Sequence, residues 1–182
     1  MQKLNFYLNV TPYIGELNEF PELWDRYDMR RTMYEGSPHR ECHDIWLRYN
    51  DYSNFDENNP LAFSDTHESV WYSAAWMMPK IKSLVMQIYY FTNSQELGGV
   101  LITKVPAWAC VHPHVDTGWH AEHYDKKYLF LLKSAPGQTF EFKGGEVHEG
   151  EAGELFVFNN QIEHAVYNNS YEDRVSLLMA VR

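Results

Sequence analysis

Apolar positions along the chain fall into two regimes that change near residue 97. Beyond it, short apolar runs follow one another closely: Val100–Val105, Cys110–Val115, Lys127–Lys133, Thr139–Phe142, Glu146–His148, Leu155–Phe158, His164–Tyr167 and Arg174–Val181. Gly, Asn, Pro and polar residues separate them, which is the punctuation of short strands joined by turns. Lys143-Gly144-Gly145 lies between two of these runs and signals a hairpin. Strands at this spacing predict a sandwich or barrel. Before residue 97 the pattern is mixed. Leu4–Val10 and Asp44–Tyr49 read as strands, and Glu16–Tyr27 as one or two short helices broken at Pro21. Pro79 opens a helix in which Ile81, Leu84, Val85, Ile88 and Phe91 recur at helical spacing. Asn50–His67 is polar and reads as a surface loop. The expected fold class is mainly β with N-terminal helices (α+β), a jelly roll behind a mixed front part. Residues 1–182 are expected to form a single domain, divided into a mixed part (1–96) and a β core (97–182).

Composition narrows the functions this fold can serve. The chain has 182 residues, and 15 Lys+Arg against 25 Asp+Glu give a net charge of −10. That balance argues against nucleic acid as a partner held by bulk electrostatics. Aromatic residues reach 16%, which suits a β-rich domain with a deep pocket. No run approaches the ~20 apolar residues that span a bilayer, and Met1–Phe6 lacks the apolar stretch of a signal peptide. A cytoplasmic protein without membrane attachment is the expectation. Cys42 and Cys110 are the only cysteines, so neither a disulfide framework nor a cysteine-based zinc site is indicated. Nine histidines and nine aspartates remain as the ligand pool.

The segment Val111-His112-Pro113-His114-Val115-Asp116 carries the strongest chemical signal. On a strand, residues two apart share a face, so His114 and Asp116 could offer an imidazole and a carboxylate to one ion. The tripeptide alone is weak evidence. Roughly 0.45 His-x-Asp are expected by chance from this composition, and His123-Tyr124-Asp125 is a second one. His39-x-Glu41 and His120-x-Glu122 are Glu variants, and most such pairs in proteins are solvated loop residues. What raises His114 and Asp116 is the rest of the chain. Gly153-Glu154-Leu155-Phe156-Val157-Phe158-Asn159-Asn160-Gln161-Ile162-Glu163-His164 is an apolar strand, a polar turn and a histidine. His164 could be the third ligand, completing a two-histidine, one-carboxylate face that leaves positions open for Fe(II) oxygen chemistry. Arg174, ten residues further on, could grip an acidic co-substrate with two parallel hydrogen bonds.

On these residues the chain resembles the aspartyl/asparaginyl β-hydroxylase-like branch of the Fe(II)/2-oxoglutarate-dependent dioxygenases. The resemblance covers about residues 105–182. It rests on Val111-x-Pro113-His114, on the block from Gly153 through Asn159-Asn160-Gln161-Ile162-Glu163-His164-Ala165-Val166-Tyr167-Asn168, and on Arg174. It implies a double-stranded β-helix (jelly-roll, cupin-like) core and Fe(II) held by His114 and His164. Some members lack the ligating carboxylate; Asp116 occupies that place here and is assigned as the third ligand. Arg174 would anchor the distal carboxylate of 2-oxoglutarate. Lys127 and Tyr128 lie on the strand where relatives often place a basic residue near the co-substrate. With O2 as oxidant, the reaction would release succinate and CO2 and hydroxylate an amino-acid side chain in a peptide, protein or free amino acid. Residues 1–96 would shape substrate choice.

The substrate channel is expected to involve Trp108, His112, Trp119 and His120, with His123 beside them. Arg48, like Arg30, Arg31 and Arg40, could grip an acidic group, although such residues more often form surface ion pairs. Asn159 and Asn160 read as a turn, and Cys110 as a small buried apolar residue. Three rival readings stand beside the oxygenase. One is a metal-binding cupin enzyme that does not use 2-oxoglutarate. His112-x-His114 suits the first cupin motif, but Glu122 comes too late for it. The others are a non-catalytic binding domain on the same roll and a nucleic-acid-modifying oxygenase. The sequence leaves the oligomeric state open.

Overall fold

The computed structural model describes residues 1–32 and 35–182. Eleven strands among them form two sheets. The larger takes the order β1-β9-β6-β11-β4-β2-β3 and the smaller β5-β10-β7-β8. Their ranges are β1 Gln2–Tyr7, β2 His43–Tyr49, β3 Val70–Trp71, β4 Leu97–Val105, β5 Cys110–His114, β6 Lys126–Lys133, β7 Gln138–Phe142, β8 Val147–His148, β9 Glu154–Phe158, β10 His164–Asn168 and β11 Arg174–Val181. All recorded pairings are antiparallel. This is the jelly roll that the second half of the sequence predicts.

The first half contributes more than helices. β1 zips onto β9, with Lys3 opposite Phe156, and extends one edge of the larger sheet. β2 pairs with β4, placing Asp44 opposite Thr103 and Trp46 opposite Leu101, and extends the other. Three of the seven strands in the larger sheet therefore precede residue 97.

Helices α1 (Thr11–Asn18), α3 (Ser73–Met77) and α4 (Pro79–Phe91) cover the outer face of that sheet, while the short α2 (Met29–Thr32) brings Met29 and Arg30 to the inner cavity. Proline at the first position of α4 lacks only an N–H that would have no helical partner. Ile81, Leu84, Val85 and Ile88 form its buried stripe, and burying side chains of this size contributes ~1.5–3 kcal/mol each. Phe91, the last residue of the periodic set, is half exposed and packs its ring on Phe6. The buried carboxylate of Glu16 on α1 accepts the N–H groups of Lys80 and Ile81, satisfying two free donors at the start of α4.

Because both faces of the larger sheet are covered, β11 has no polar alternation. Val175, Leu177, Met179 and Val181 pack toward the helices. Arg174, Ser176, Leu178 and Ala180 face the space between the sheets. That space is filled at one side by Val111, Leu129, Leu131, Phe140, Phe156 and Phe158 and is otherwise a cavity of about 460 Å³, a size suited to a small ligand. Asn50–His67 proves to be more than a surface loop. Two short 3-10 turns, Tyr52–Asn54 and Pro60–Ser64, bury Phe63 and carry Leu61, Ser64 and Asp65 to the cavity mouth. No helix among the described residues is long and apolar enough to cross a membrane.

Candidate metal centre and co-substrate pocket

His114 and His164 face one another from adjacent strands of the smaller sheet, their ring centres 4.5 Å apart. A bulge aims the first of them. His164 pairs with His114 and Val166 with Val111, so two residues on β10 oppose three on β5. The extra residue resets the alternation of β5, and both Val111 and His114 reach the cavity while His112 points outward. The cause is local: Pro113 has no N–H to give to a ladder.

Asp116 lies just beyond the end of β5, not on the strand as its spacing suggested. It is held there by the turn before β10. The Asp116 N–H donates to the Asn160 carbonyl at 3.1 Å, and the buried Asn160 amide donates to the Ala121 carbonyl at 3.2 Å. The Asn159-Asn160-Gln161 turn is thus the fastening between one ligand loop and the other.

His114, Asp116 and His164 each present a ligand atom within 4.8 Å of the others. The Nδ1 of His114 is 2.8 Å from the His112 carbonyl and the Nδ1 of His164 is 2.8 Å from the Ile162 carbonyl. A carbonyl can only accept, so both Nδ1 atoms carry the proton and both Nε2 lone pairs are free. This is the tautomer a metal ligand needs, fixed by its outer hydrogen bond. Burial lowers the pKa of His164, keeping it in the neutral, ligating form. Burial acts to raise the Asp116 pKa, but the Lys127 ammonium and the His114 ring prevail and hold it well below the usual carboxylate range. Two imidazoles and a carboxylate fit a divalent transition metal with open positions.

Arg174 is 4% exposed and reaches the same cavity. Its recorded hydrogen bond is a long one to the Ser176 hydroxyl at 3.5 Å, and no carboxylate pairs with it among the described residues. Burial lowers its pKa to about 10, which leaves it charged at neutral pH. A buried, unpaired guanidinium is costly unless an anion joins it. Asn168 sets its position. The Asn168 side-chain amide donates to the carbonyls of Val105, Pro106 and Glu172, tying the loop before Arg174 to the end of β4.

Lys127 enters from the far end of the same face, opposite Ala180, and its Nζ lies 3.1 Å from Asp116 Oδ2. Tyr128, one residue on, points the other way into the core beneath the helices; strand alternation keeps it out of the cavity. His120 does line the cavity. Its Nε2 accepts the Gly99 N–H at 3.0 Å, and burial lowers its pKa to about 2, so it is neutral. A Cβ on Gly99 would approach the Tyr49 ring to 2.9 Å, which only glycine avoids.

The other residues expected in the channel lie elsewhere. Trp108 is 60% exposed, at φ 64°, edge-on to Tyr171 in the loops at the Arg174 end. Trp119 stacks on His123 outside the cavity, and His123 pairs with Glu96. Arg48 donates to the Leu97 carbonyl and covers Trp71 at the sheet edge. Arg31 is engaged by Asp25 and Asp28.

His112 belongs to a second group of possible ligands, Glu41, Cys110 and His112. There Glu41 accepts from the Cys110 N–H at 3.0 Å and lies 2.8 Å from His112 Nε2, while Arg40 donates to His112 Nδ1 at 3.2 Å.

The walls beside the candidate centre come from the first half of the chain. Met29, Trp46, Tyr49 and Phe63 form an aromatic-rich side. Arg30 lines it too, with its charge already bound by Asp44 at 3.1 Å and Thr103 at 3.0 Å. His39 is buried, lines the cavity and packs edge-on to His114 at 4.7 Å; burial and nearby Arg30 keep its pKa well below normal. The only hint of His39 in the sequence was its place in His39-x-Glu41. The aromatic wall had no local signal, because distant strand pairing assembles it.

Comparison with known proteins agrees with this geometry. Residues 34–182 match the family described as aspartyl/asparaginyl beta-hydroxylase. No curated protein matches the chain. Among solved structures, an oxidoreductase of the 2OG-Fe(II) oxygenase family from Burkholderia pseudomallei superposes with a TM-score of 0.56 at 12% identity, covering 98% of this chain and 91% of that one. A prolyl-4-hydroxylase from Pseudomonas putida gives 0.51 at 16% identity, over 100% and 91%. AerE from Microcystis aeruginosa matches locally, with a TM-score of 0.37 at 15% identity over 46% of this chain; the chain spans 35% of that protein's length. At these identities the likeness is one of fold.

Proposed function

The chain belongs to the aspartyl/asparaginyl β-hydroxylase family, and from that premise we propose that it is an Fe(II)- and 2-oxoglutarate-dependent oxygenase that hydroxylates an amino-acid side chain in a peptide, protein or free amino acid. The observation that carries the reading is the pairing of two features in one cavity. One is a two-histidine, one-carboxylate cluster with both Nε2 atoms free. The other is a buried arginine with no carboxylate partner among the described residues. A cupin metal site without 2-oxoglutarate has no use for the second.

In this reading His114, Asp116 and His164 hold the iron, and Arg174 receives the distal carboxylate of 2-oxoglutarate. When bound, the iron and co-substrate together activate O2 and so supply the oxidising power for cleaving a C–H bond. The protein's share is geometry and dryness. The carbonyls of His112 and Ile162 fix the two imidazole planes. The Asn160 turn holds Asp116 level with them. Leu129, Phe140, Phe158 and Val166 wall the space between metal and arginine with apolar surface, which strengthens the charge pairing of Arg174 and excludes water. The substrate side chain enters between the 61–65 segment and the 115–118 loop, against Trp46 and Tyr49.

The test is anaerobic. Fe(II) followed by 2-oxoglutarate gives a visible metal-to-ligand charge-transfer band in the wild type. His114→Ala abolishes it, and Arg174→Ala demands more 2-oxoglutarate to reach it. Absence of the band in metal-replete wild-type protein overturns the reading.

A further inference from the structure

Lys127 lines the same cavity as Arg174, and its ammonium pairs with Asp116. Its Nζ lies 3.1 Å from Asp116 Oδ2, while the other oxygen, Oδ1, lies 3.4 Å from His114 Nε2. The two oxygens of one carboxylate thus have separate neighbours: one faces the lone pairs that would share a metal, the other faces a fixed cation. We propose that Lys127 is a positioning residue that occupies Oδ2 and presents Asp116 to the metal through Oδ1 alone. This inference rests on the metal-centre reading above.

The surroundings favour it. Asp116 sits on a loop, so its backbone does not orient its carboxylate as a strand would. The loop's recorded fastenings from the β9–β10 turn reach backbone groups only: the Asp116 N–H to Asn160, and the Asp116 and Ala121 carbonyls from Gln161 and Asn160. The carboxylate therefore needs a side-chain partner, and Lys127 is the cation that has one contact to give. Its position on a central strand, between β9 and β11, makes it rigid at the backbone. A carboxylate bound through one oxygen occupies one coordination position; bound through both it would occupy two and take a place the open chemistry requires. Outer partners that orient a metal ligand typically contribute 10–100-fold to metal affinity.

The experiment is a titration of the metal-free protein with Co(II), without 2-oxoglutarate. Lys127→Met should weaken Co(II) binding ~10–100-fold, Lys127→Arg should restore most of it, and Lys127→Gln serves if the Met variant does not fold. In an Asp116→Asn background, Lys127→Met should cause no further loss, because the lysine acts through that carboxylate. Unchanged Co(II) affinity in Lys127→Met, with a raised 2-oxoglutarate requirement, would overturn the proposal and make Lys127 a co-substrate contact. It would leave the oxygenase reading intact. Wild-type protein that binds no Co(II) through His114 would overturn both.

Discussion

Two groups of side chains that could hold a metal ion lie on opposite faces of β5, and they differ in composition, burial and hydrogen bonding. His114, Asp116 and His164 face the inner cavity, with imidazole lone pairs that no hydrogen bond among the described residues uses. Glu41, Cys110 and His112 lie on the outer face, where each polar atom already has a neighbour. Both ring nitrogens of the outer histidine are occupied, Nδ1 by the Arg40 guanidinium and Nε2 by the Glu41 carboxylate. Proximity of ligand atoms is therefore a poor guide by itself. What separates a centre from a hydrogen-bonded cluster is whether its lone pairs are already used and whether space adjoins them.

The most forceful way to break this contrast is to remove an inner ligand. His164→Ala should abolish measurable Fe(II) or Co(II) binding, a loss beyond the ~100-fold seen for outer partners, as read by equilibrium titration. Retained binding would mean that the inner cluster is not the centre. Arg174→Ala should leave metal affinity unchanged but raise the 2-oxoglutarate concentration for half-maximal charge-transfer absorbance by about 10–100-fold, the equivalent of ~1.5–3 kcal/mol for a charged hydrogen-bond pair.

A smaller effect concerns the acid limb of stability. His120 is buried and neutral with a pKa near 2, whereas in the unfolded chain it titrates near the ordinary 6.5. Below that value the unfolded state binds a proton that the folded state refuses, so His120 costs up to about 1.4 kcal/mol of stability per pH unit as pH falls. His120→Gln, which keeps an acceptor for Gly99, should flatten the fall in denaturation midpoint between pH 6.5 and 4. An unaltered slope would show that His120 is not buried neutral. The mildest change is on the outer face. Cys110→Ser should leave both metal stoichiometry and affinity as in wild type, and loss of one bound metal would put the outer cluster on an equal footing with the inner one.

The sequence made the second half legible because its information is local there. Apolar runs, turn residues and the His164-to-Arg174 spacing all lie within short stretches, and the strands fall where the pattern places them. What escaped depends on chain segments far apart. β1 and β2 look like isolated strands until β9 and β4 receive them. Trp46, Tyr49 and Phe63 become a cavity wall only after that pairing. Two places relate to strand parity in opposite ways. Tyr128 obeys it and so points away from the cavity that its neighbour Lys127 reaches. His112 and His114 violate it, because the bulge at Pro113 turns one outward and the other in. Residue type alone points to Trp108 and Arg48, and it says little about where a side chain goes.

The double covering of β11 bears on how motion is distributed. Its amides sit between β4 and β6, with helices over one face and the closed end of the cavity over the other. Backbone hydrogens in such a place exchange with solvent only through large-scale opening, whereas the 61–65 and 115–118 segments exchange through local fluctuations. The arginine is therefore carried by one of the slowest-exchanging strands in the protein, and the entrance by some of the fastest segments. Deuterium uptake should show two clocks in one cavity, with the floor keeping time with global unfolding and the rim running ahead of it.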